Sequence, residues 1–275
     1  MLALALANLL PLAIAASVPM QAIWQPSVGT PWQIVLSKTV DPRVTIRPNV
    51  RVWDVDLFDT PASTIASLQR QGKKVICYFS AGTYESWRDD ADQWSEADLG
   101  QNMTDWEGER WADVRASSVR KVMEKRIALA RQKGCDAIDP DNVDAYNNHN
   151  GVGVTDGSRG VLTEADAVDF VFFLAHVAST YRMATGLKNA GAIIPEVIDV
   201  VQFSVNEQCA THGECDVFQD FINVGKPVFH IEYPTDEMSV SKLCRGGRFS
   251  TVLKDMDLSG MVTYCDGSEA TTQTL

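Results

Sequence analysis

Eight short apolar runs recur along this chain, and most of them stop on a polar side chain. They are Trp32–Leu36, Val50–Val55, Val75–Phe79, the short run from Ala137, Met183–Leu187, Val200–Val205, Val228–Ile231 and Gly260–Tyr264. Runs this short, bounded by turn residues, read as buried strands. Helical patterns lie between several of them. Thr60 and Pro61 suit the start of one and Gly72 its end, with Ile65 and Leu68 inward. Ser117–Lys133 repeats Val119, Val122, Met123, Ile127 and Ala130 at helical spacing. Thr163 opens another helix, with Asp166 placed for a capping box and Phe170, Val171, Leu174 and Ala178 inward. His176, within that helix, reads as structural. Strands alternating with helices predict a parallel (β/α)8 TIM barrel with the helices outside. An open doubly wound sheet is the alternative, but no Gly-x-Gly-x-x-Gly turn or Walker loop supports it.

Nothing divides the chain internally, and 275 residues with 45% hydrophobic content suffice for one large core. We therefore expect a single domain over 32–266, an N-terminal extension over 17–31 and a loose tail over 267–275. Met1–Ala16 is apolar, lacks lysine and arginine, and ends in small residues before Ser17. It reads as a secretory signal peptide, with a buried N-terminal segment as the alternative. Six cysteines and the sequon at Asn102 fit a secreted glycoprotein. Six cysteines allow 15 pairings. The strand layout favours Cys77–Cys135 and Cys244–Cys265, and proximity favours Cys209–Cys215. The net charge of -12 argues against nucleic acid and anionic membranes as partners and suits a cationic or neutral ligand.

In a parallel barrel the chemistry sits at the C-terminal ends of the strands. Those ends supply Asp56, Tyr78 and Ser80, Asp139 and Asp141, Lys188 and Asn189, Asn206 and Glu207, Glu232 and Tyr233, and Asp266. Asp144 follows close behind Asp141. The long irregular segment Thr83–Asp113, preceding a helix, adds carboxylates and four tryptophans, Trp87, Trp94, Trp106 and Trp111. Such a segment either lines a sugar-binding surface or only pins down a long loop. Three chemistries fit a mouth of this kind. Glycoside hydrolysis needs two carboxylates across the scissile bond. Metal-assisted chemistry needs a ligand set, and four scattered histidines give no evident pair, so no metal is expected. Schiff-base chemistry would need a neutral Lys188, whereas nearby carboxylates would keep it charged.

Together, Trp53–Asp59, Val75–Gly82, Trp87-Arg88-Asp89, Gly134–Asp144, Gly186–Asn189, Asn206–Cys209 and Glu232-Tyr233 resemble glycoside hydrolase family 114. These are the endo-α-1,4-polygalactosaminidases, here in their fungal secreted form. The likeness runs in order from about Trp32 to Tyr264. It implies a (β/α)8 barrel without a cofactor, acting on α-1,4-linked galactosamine polymers such as the galactosaminogalactan of fungal walls and biofilms. It implies Asp141 and Glu207 as the catalytic pair. Asp139 is the rival to Asp141, though a supporting role suits it better. Asp56, Glu232 and Asp266 are expected to contact amines or hydroxyls, and Tyr78, Tyr233 and Trp87 to offer stacking faces. Lys188, beside Asn189, is expected to hold a catalytic carboxylate or bond a hydroxyl, and Asp139 and Asp144 to frame Asp141. The likeness to retaining α-galactosidase barrels favours retention, and a monomer is expected. A non-catalytic carbohydrate-binding barrel and a hydrolase of plain α-galactosides stay open.

Overall fold

The computed structural model describes residues 22–148, 160–235, 239–244 and 247–275. The expected signal peptide at 1–16 lies outside the described residues. In chain order the structure forms β1 (Trp32–Val35), β2 (Val52–Asp56), α1 (Ala62–Arg70) and β3 (Lys74–Ser80). A small sheet follows, made of β4 (Thr83–Glu85), β5 (Leu99–Asn102) and β6 (Glu109–Ala112). Then come α2 (Ser117–Lys133), β7 (Ala137–Asp141), α3 (Glu164–Thr180), β8 (Ala184–Lys188), α4 (Ile194–Val197) and β9 (Phe203–Glu207). Last are α5 (Cys209–His212), α6 (Gln219–Asn223), β10 (Val228–Glu232), α7 (Val240–Leu243), β11 (Ser250–Leu253), β12 (Met261–Tyr264) and β13 (Glu269–Thr271). Among the described residues no helix is long and apolar enough to cross a membrane.

Eight strands run parallel in the order β1-β2-β3-β7-β8-β9-β10-β11. They curl into a TIM-barrel-like sheet, the architecture expected of one (β/α)8 domain. The eighth parallel strand, however, is β11 and not the expected run Gly260–Tyr264. That run forms β12, which lies antiparallel to β11 and pairs with β13. Ser250-Thr251-Val252-Leu253 is half polar and gives a weak apolar signal. Met261 is exposed where Val262 is buried, the alternation of a half-buried antiparallel strand.

The sheet has a seam between β1 and β11, which share no backbone ladder. Side chains and the loop after β11 stitch it. The Trp32 indole donates to the Ser250 carbonyl at 2.7 Å, the Tyr264 hydroxyl donates to the Trp32 carbonyl at 3.1 Å, and Leu36 N–H donates to the Leu258 carbonyl at 3.0 Å. The expected loose tail is instead tied into this closure. Thr272 N–H bonds the Gly260 carbonyl at 2.8 Å, and Val40 bridges Thr274. Its backbone groups find partners on both the hairpin and the loop after β1, which leaves no reason for them to stay solvated.

Two cores follow from the two-residue period of the strands. Trp32, Ile34, Val52, Ile76, Ala137, Phe203, Val205, Phe229 and Ile231 pack inside the barrel. Trp32, Phe203 and Phe229 meet there, with ring centroids 5.0 and 5.5 Å apart along the chain of contacts. Gly186 leaves room for this cluster, because a Cβ there would stand 2.4 Å from the Phe203 ring. Alternate residues Trp53, Val55, Val75, Cys77, Phe79, Ile138 and Leu187 pack outside with Ile65, Leu68, Val122, Ile127, Phe170 and Leu174 of the helices.

Helix boundaries follow local chemistry. Gly134 adopts φ 93° and ends α2, and Thr163 and Asp166 form the expected capping box on α3. For α1 the reading shifts by one position: Pro61 sits at the N-cap and Thr60 makes no capping bond. The three disulfides are Cys77–Cys135, Cys209–Cys215 and Cys244–Cys265, as the layout favoured. Cys77–Cys135 spans 58 positions and ties β3 to the residue that leads into β7. A Cys77→Ser, Cys135→Ser variant is expected to lose roughly 2–4 kcal/mol of stability. Urea unfolding checks this as a lower midpoint.

Candidate active site

A cavity of about 770 Å³ opens at the C-terminal ends of the strands. Asp141 closes β7 and Glu207 closes β9, and both line it. Their side chains point into the barrel because they stand at even spacing from the interior residues Ala137, Phe203 and Val205. Three donors converge on Asp141. The Tyr78 hydroxyl reaches Oδ2 at 2.9 Å, Lys188 Nζ reaches the same oxygen at 3.1 Å, and Asn142 N–H reaches Oδ1 at 2.7 Å. The Asp141 carbonyl accepts from Ala81 and Gly82 N–H at 2.8 and 3.1 Å. Gly82 is required there, since a Cβ would lie 1.7 Å from the Asn142 carbonyl oxygen.

Glu207 is held from two sides. The Tyr233 hydroxyl donates to Oε1 at 2.5 Å and Asn189 Nδ2 to Oε2 at 3.1 Å, while Asn189 Oδ1 accepts from Glu207 N–H at 2.8 Å. Asn189 adopts φ 47°, which turns its side chain toward Glu207. Lys188 sits between the two acids, 3.4 Å from Glu207 Oε2 and 5.2 Å from the centre of the Tyr78 ring. It is 2% exposed. Burial pulls its ammonium toward neutrality, but Asp141, Glu207 and Asp139 outweigh that and raise it well above the ordinary lysine range. Burial, with Asp141 beside Tyr78 and Glu207 beside Tyr233, pushes both phenols up, so they stay donors.

Other expected residues take different places. Asp56 lines the cavity, but Phe58 N–H, Asp59 N–H and the Arg88 guanidinium occupy its oxygens, the last bidentate at 3.2 and 2.8 Å. Asp144 lines the cavity, half-buried, and burial followed by repulsion from Asp141 raises it to about 6. Trp87 stands on the rim, 52% exposed. Asp139 does not reach the cavity; it lies fully buried one pleat below Asp141.

Glu232 faces outward, because Phe229 and Ile231 take the inward positions of β10. It accepts from Ala210 N–H at 2.7 Å, the Thr211 hydroxyl at 2.6 Å and His230 Nε2 at 2.8 Å. Burial works against its charge, yet the bonds from His230 and Thr211 hold it below the usual carboxylate range. It therefore fixes the turn after Glu207 and does not line the cavity. Asp266 also leaves the site: it is exposed in the β12–β13 turn and bonds Ser268 N–H and hydroxyl at 2.8 and 2.6 Å.

The small sheet β4-β6-β5 contributes groups that strand-end reasoning did not single out. Glu85, Glu109 and Trp106 line the cavity from it and its loops, with Arg88 just after it. Glu85 binds Arg88 at 2.9 Å. Glu109 accepts from the Thr83 hydroxyl at 2.8 Å, and burial pushes it up to about 7. Trp106 is 51% exposed and faces the rim with Trp87. The tryptophan and acid content of 83–113 was the available signal. Among the described residues, Cys209, Cys215 and His230 are the one grouping with metal-ligand atoms in reach of each other, and its two sulfurs are bonded together.

Two oriented carboxylates facing one cavity, with a lysine between them, can deliver a proton to one side of a bond and a nucleophile to the other. The sequence profile of glycoside-hydrolase family GH114 matches residues 14–270. The chain is similar to Aspergillus fumigatus Ega3, whose crystal structure holds galactosamine. The two are 47% identical with a TM-score of 0.81, over 90% of this chain and 99% of that one. The glycoside hydrolase domain of PelA from Pseudomonas aeruginosa shares the fold, with a TM-score of 0.62 at 13% identity over 85% of this chain and 98% of that one. A search of curated proteins gave no match. On the match over 14–270, the chain belongs to glycoside-hydrolase family GH114 and is a glycoside hydrolase.

Proposed function

We propose that the chain is a secreted endo-acting hydrolase of α-1,4-linked galactosamine and N-acetylgalactosamine polymers, with Asp141 as nucleophile and Glu207 as general acid/base. The observation that carries the proposal is Lys188, shared by both carboxylates at 3.1 and 3.4 Å inside the cavity. Those contacts keep Asp141 Oδ2 and Glu207 Oε2 within about 6.5 Å of each other, the lower edge of the inverting separation, and this closeness of the facing oxygens favours retention. The match to a relative crystallised with galactosamine supports the amino sugar. The sequence resemblance supplies the α-1,4 linkage and the endo mode.

In this reading Glu207 passes its proton to the leaving oxygen while Asp141 Oδ1 or Oδ2 attacks the anomeric carbon. Glu207 then takes a proton from water, which releases the sugar from Asp141. Tyr78 and Lys188 orient the nucleophile, and Tyr233 and Asn189 orient the acid. Lys188 balances charge as it moves from one acid to the other through the cycle. The polymer enters past Trp87 and Trp106, whose exposed faces suit sugar rings. Glu109 and Asp144 are cavity acids without an ion-paired cation among the described residues, and an ammonium on the substrate would supply one. The leader at 1–16, the three disulfides and the exposed Asn102 sequon support secretion and glycosylation.

Glu207→Gln is expected to lower kcat by about 10²–10⁴-fold, and Asp141→Asn at least as far, with polymer binding retained. Reducing-end release measures the rate and pull-down on insoluble polymer measures binding. Wild-type rates in both variants would sink the assignment, and binding without release by the wild type would make it a carbohydrate-binding barrel.

Glu109→Gln and Asp144→Asn are expected to raise KM several-fold, on the order of 1 kcal/mol for each lost charge-assisted bond, on deacetylated polymer and not on fully acetylated polymer. The same groups set a pH dependence. As pH rises from about 6 to about 7 they ionise, so KM for the cationic polymer falls over that window. Equal KM changes on both polymers would place these acids outside ammonium recognition.

A further inference from the structure

The barrel interior holds two acids that the cavity does not reach. Asp54 lies mid-strand in β2 and Asp139 mid-strand in β7, the two strands that flank β3. Val52 and Ala137, two residues before them, belong to the interior core, so both acids point inward. Both are 0% exposed. Among the described residues no donor reaches any of their four carboxyl oxygens. The ladder neighbours of Asp54, Ile34 and Ile76, are apolar and belong to the interior cluster.

Two carboxylates in such a place cannot both be charged. Each unpaired buried anion costs several kcal/mol, and like charges at short range add repulsion. One proton held between them turns the arrangement into a donor and an acceptor that satisfy each other. We propose that Asp54 and Asp139 share a single proton, Asp54 as the acid and Asp139 as the anion, and that the pair is a positioning device for Lys188. This rests on the reading of Asp141 and Glu207 as the catalytic acids.

The charge falls to Asp139 because Lys188 favours the anion nearer to it. Burial raises both acids; against it Lys188 is the strongest influence on Asp139, which stays at about 7, whereas repulsion from Asp139 adds to burial at Asp54 and outranks Lys188, so Asp54 is raised well above the usual carboxylate range. The titratable groups that face the pair are Lys188 from β8, Asp141 from β7 and Glu207 from β9. Asp139 and Asp141 lie two residues apart on one face of β7, so the backbone sets the spacing between the lower anion and the nucleophile. Lys188 is then held from below through space by Asp139 and from above by a hydrogen bond to Asp141 and an ion pair with Glu207. With an anion on both sides, the ammonium does not follow Asp141 upward when substrate arrives.

Neutron diffraction from the wild-type protein at about pH 8.5, above the value near 7 to which Asp139 is raised, tests the shared proton without any variant. One deuteron on Asp54, facing Asp139, is expected; none, or one on each acid, overturns the proposal. Asp54→Asn keeps a donor toward Asp139 in the same shape. In the infrared spectrum of wild type minus variant, at about pH 8.5 where Glu109 and Asp144 are ionised, it is expected to show the loss of one buried carboxylic-acid carbonyl stretch while leaving kcat within about twofold. Retention of that band in Asp54→Asn rules out Asp54 as the acid.

Asp139→Asn removes the lower anion. We expect kcat to fall about tenfold or more with KM within about twofold, and the alkaline limb of kcat to move to lower pH, since the catalytic acid loses a neighbouring negative charge. A merely structural role would lower Tm and leave the limb in place, and that result would overturn the positioning role. Neutron and infrared readouts do not depend on which residues catalyse, so their failure is distinct from failure of the Asp141–Glu207 assignment.

Discussion

Along each strand of the curled sheet, side chains alternate between the barrel interior and the layer of helices. The alternation decides which polar group at a strand end reaches the mouth. On β9, Phe203, Val205 and Glu207 share the interior face, while Ser204 and Asn206 face out. On β10, Phe229 and Ile231 point in and so does Tyr233 after them, which sends His230 and Glu232 outward. The inward set builds the catalytic pair and its hydrogen bonds. The outward set holds the turn that follows Glu207, with Asn206 accepting from Cys209 N–H and Glu232 accepting from Ala210 N–H. One backbone rule thus gives neighbouring residues separate tasks.

A second constraint is the buried guanidinium of Arg126. It stands at a core-facing position of α2, 1% exposed, beside Met123 and Ile127. It binds both oxygens of Asp90 at 2.8 Å, Glu85 at 3.2 Å and the Ser80 carbonyl at 2.6 Å, with Phe58 and Trp94 packed on its faces. These contacts clamp the inserted sheet onto the barrel, and Arg88 continues the network to Asp56. Removing Arg126 would strand Asp90 and leave Glu85 to Arg88 alone, which makes such a clamp more costly to break than an exposed ion pair.

Much of this was readable from residues in a row. Asp141, Glu207, Lys188 and Tyr78 announce themselves as polar stops after apolar runs, and cysteines next to neighbouring strands suggested their partners. What escaped depended on facing or on distant partners. Glu232 and Tyr233 looked equivalent until the pleat separated them, although counting in twos from Phe229 does so without coordinates. Asp54 hid inside the run Val50–Val55, which reads as apolar around it. The engagement of Asp56 by Arg88 joins residues 32 positions apart across an insertion, and no local pattern announces it. Ser250–Leu253 lacked the apolar density of a barrel strand: Thr251 bonds His230 of β10 at 2.9 Å, and Ser250 meets the Trp32 indole through its carbonyl.

The seam also sets an order of assembly. Gln33 bonds Thr272 across 239 positions, and Lys254 reaches back from the end of β11 to Gln33 across 221. Each parallel neighbour pair from β1 to β11 can form from segments close in the chain, with modest loop-closure entropy. Among the described residues the closing contacts span the largest sequence separations, and the loop-closure entropy they cost favours their forming last. Until they do, both edges of the sheet stand open to other strands, and the nascent barrel is most prone to mispairing in this interval.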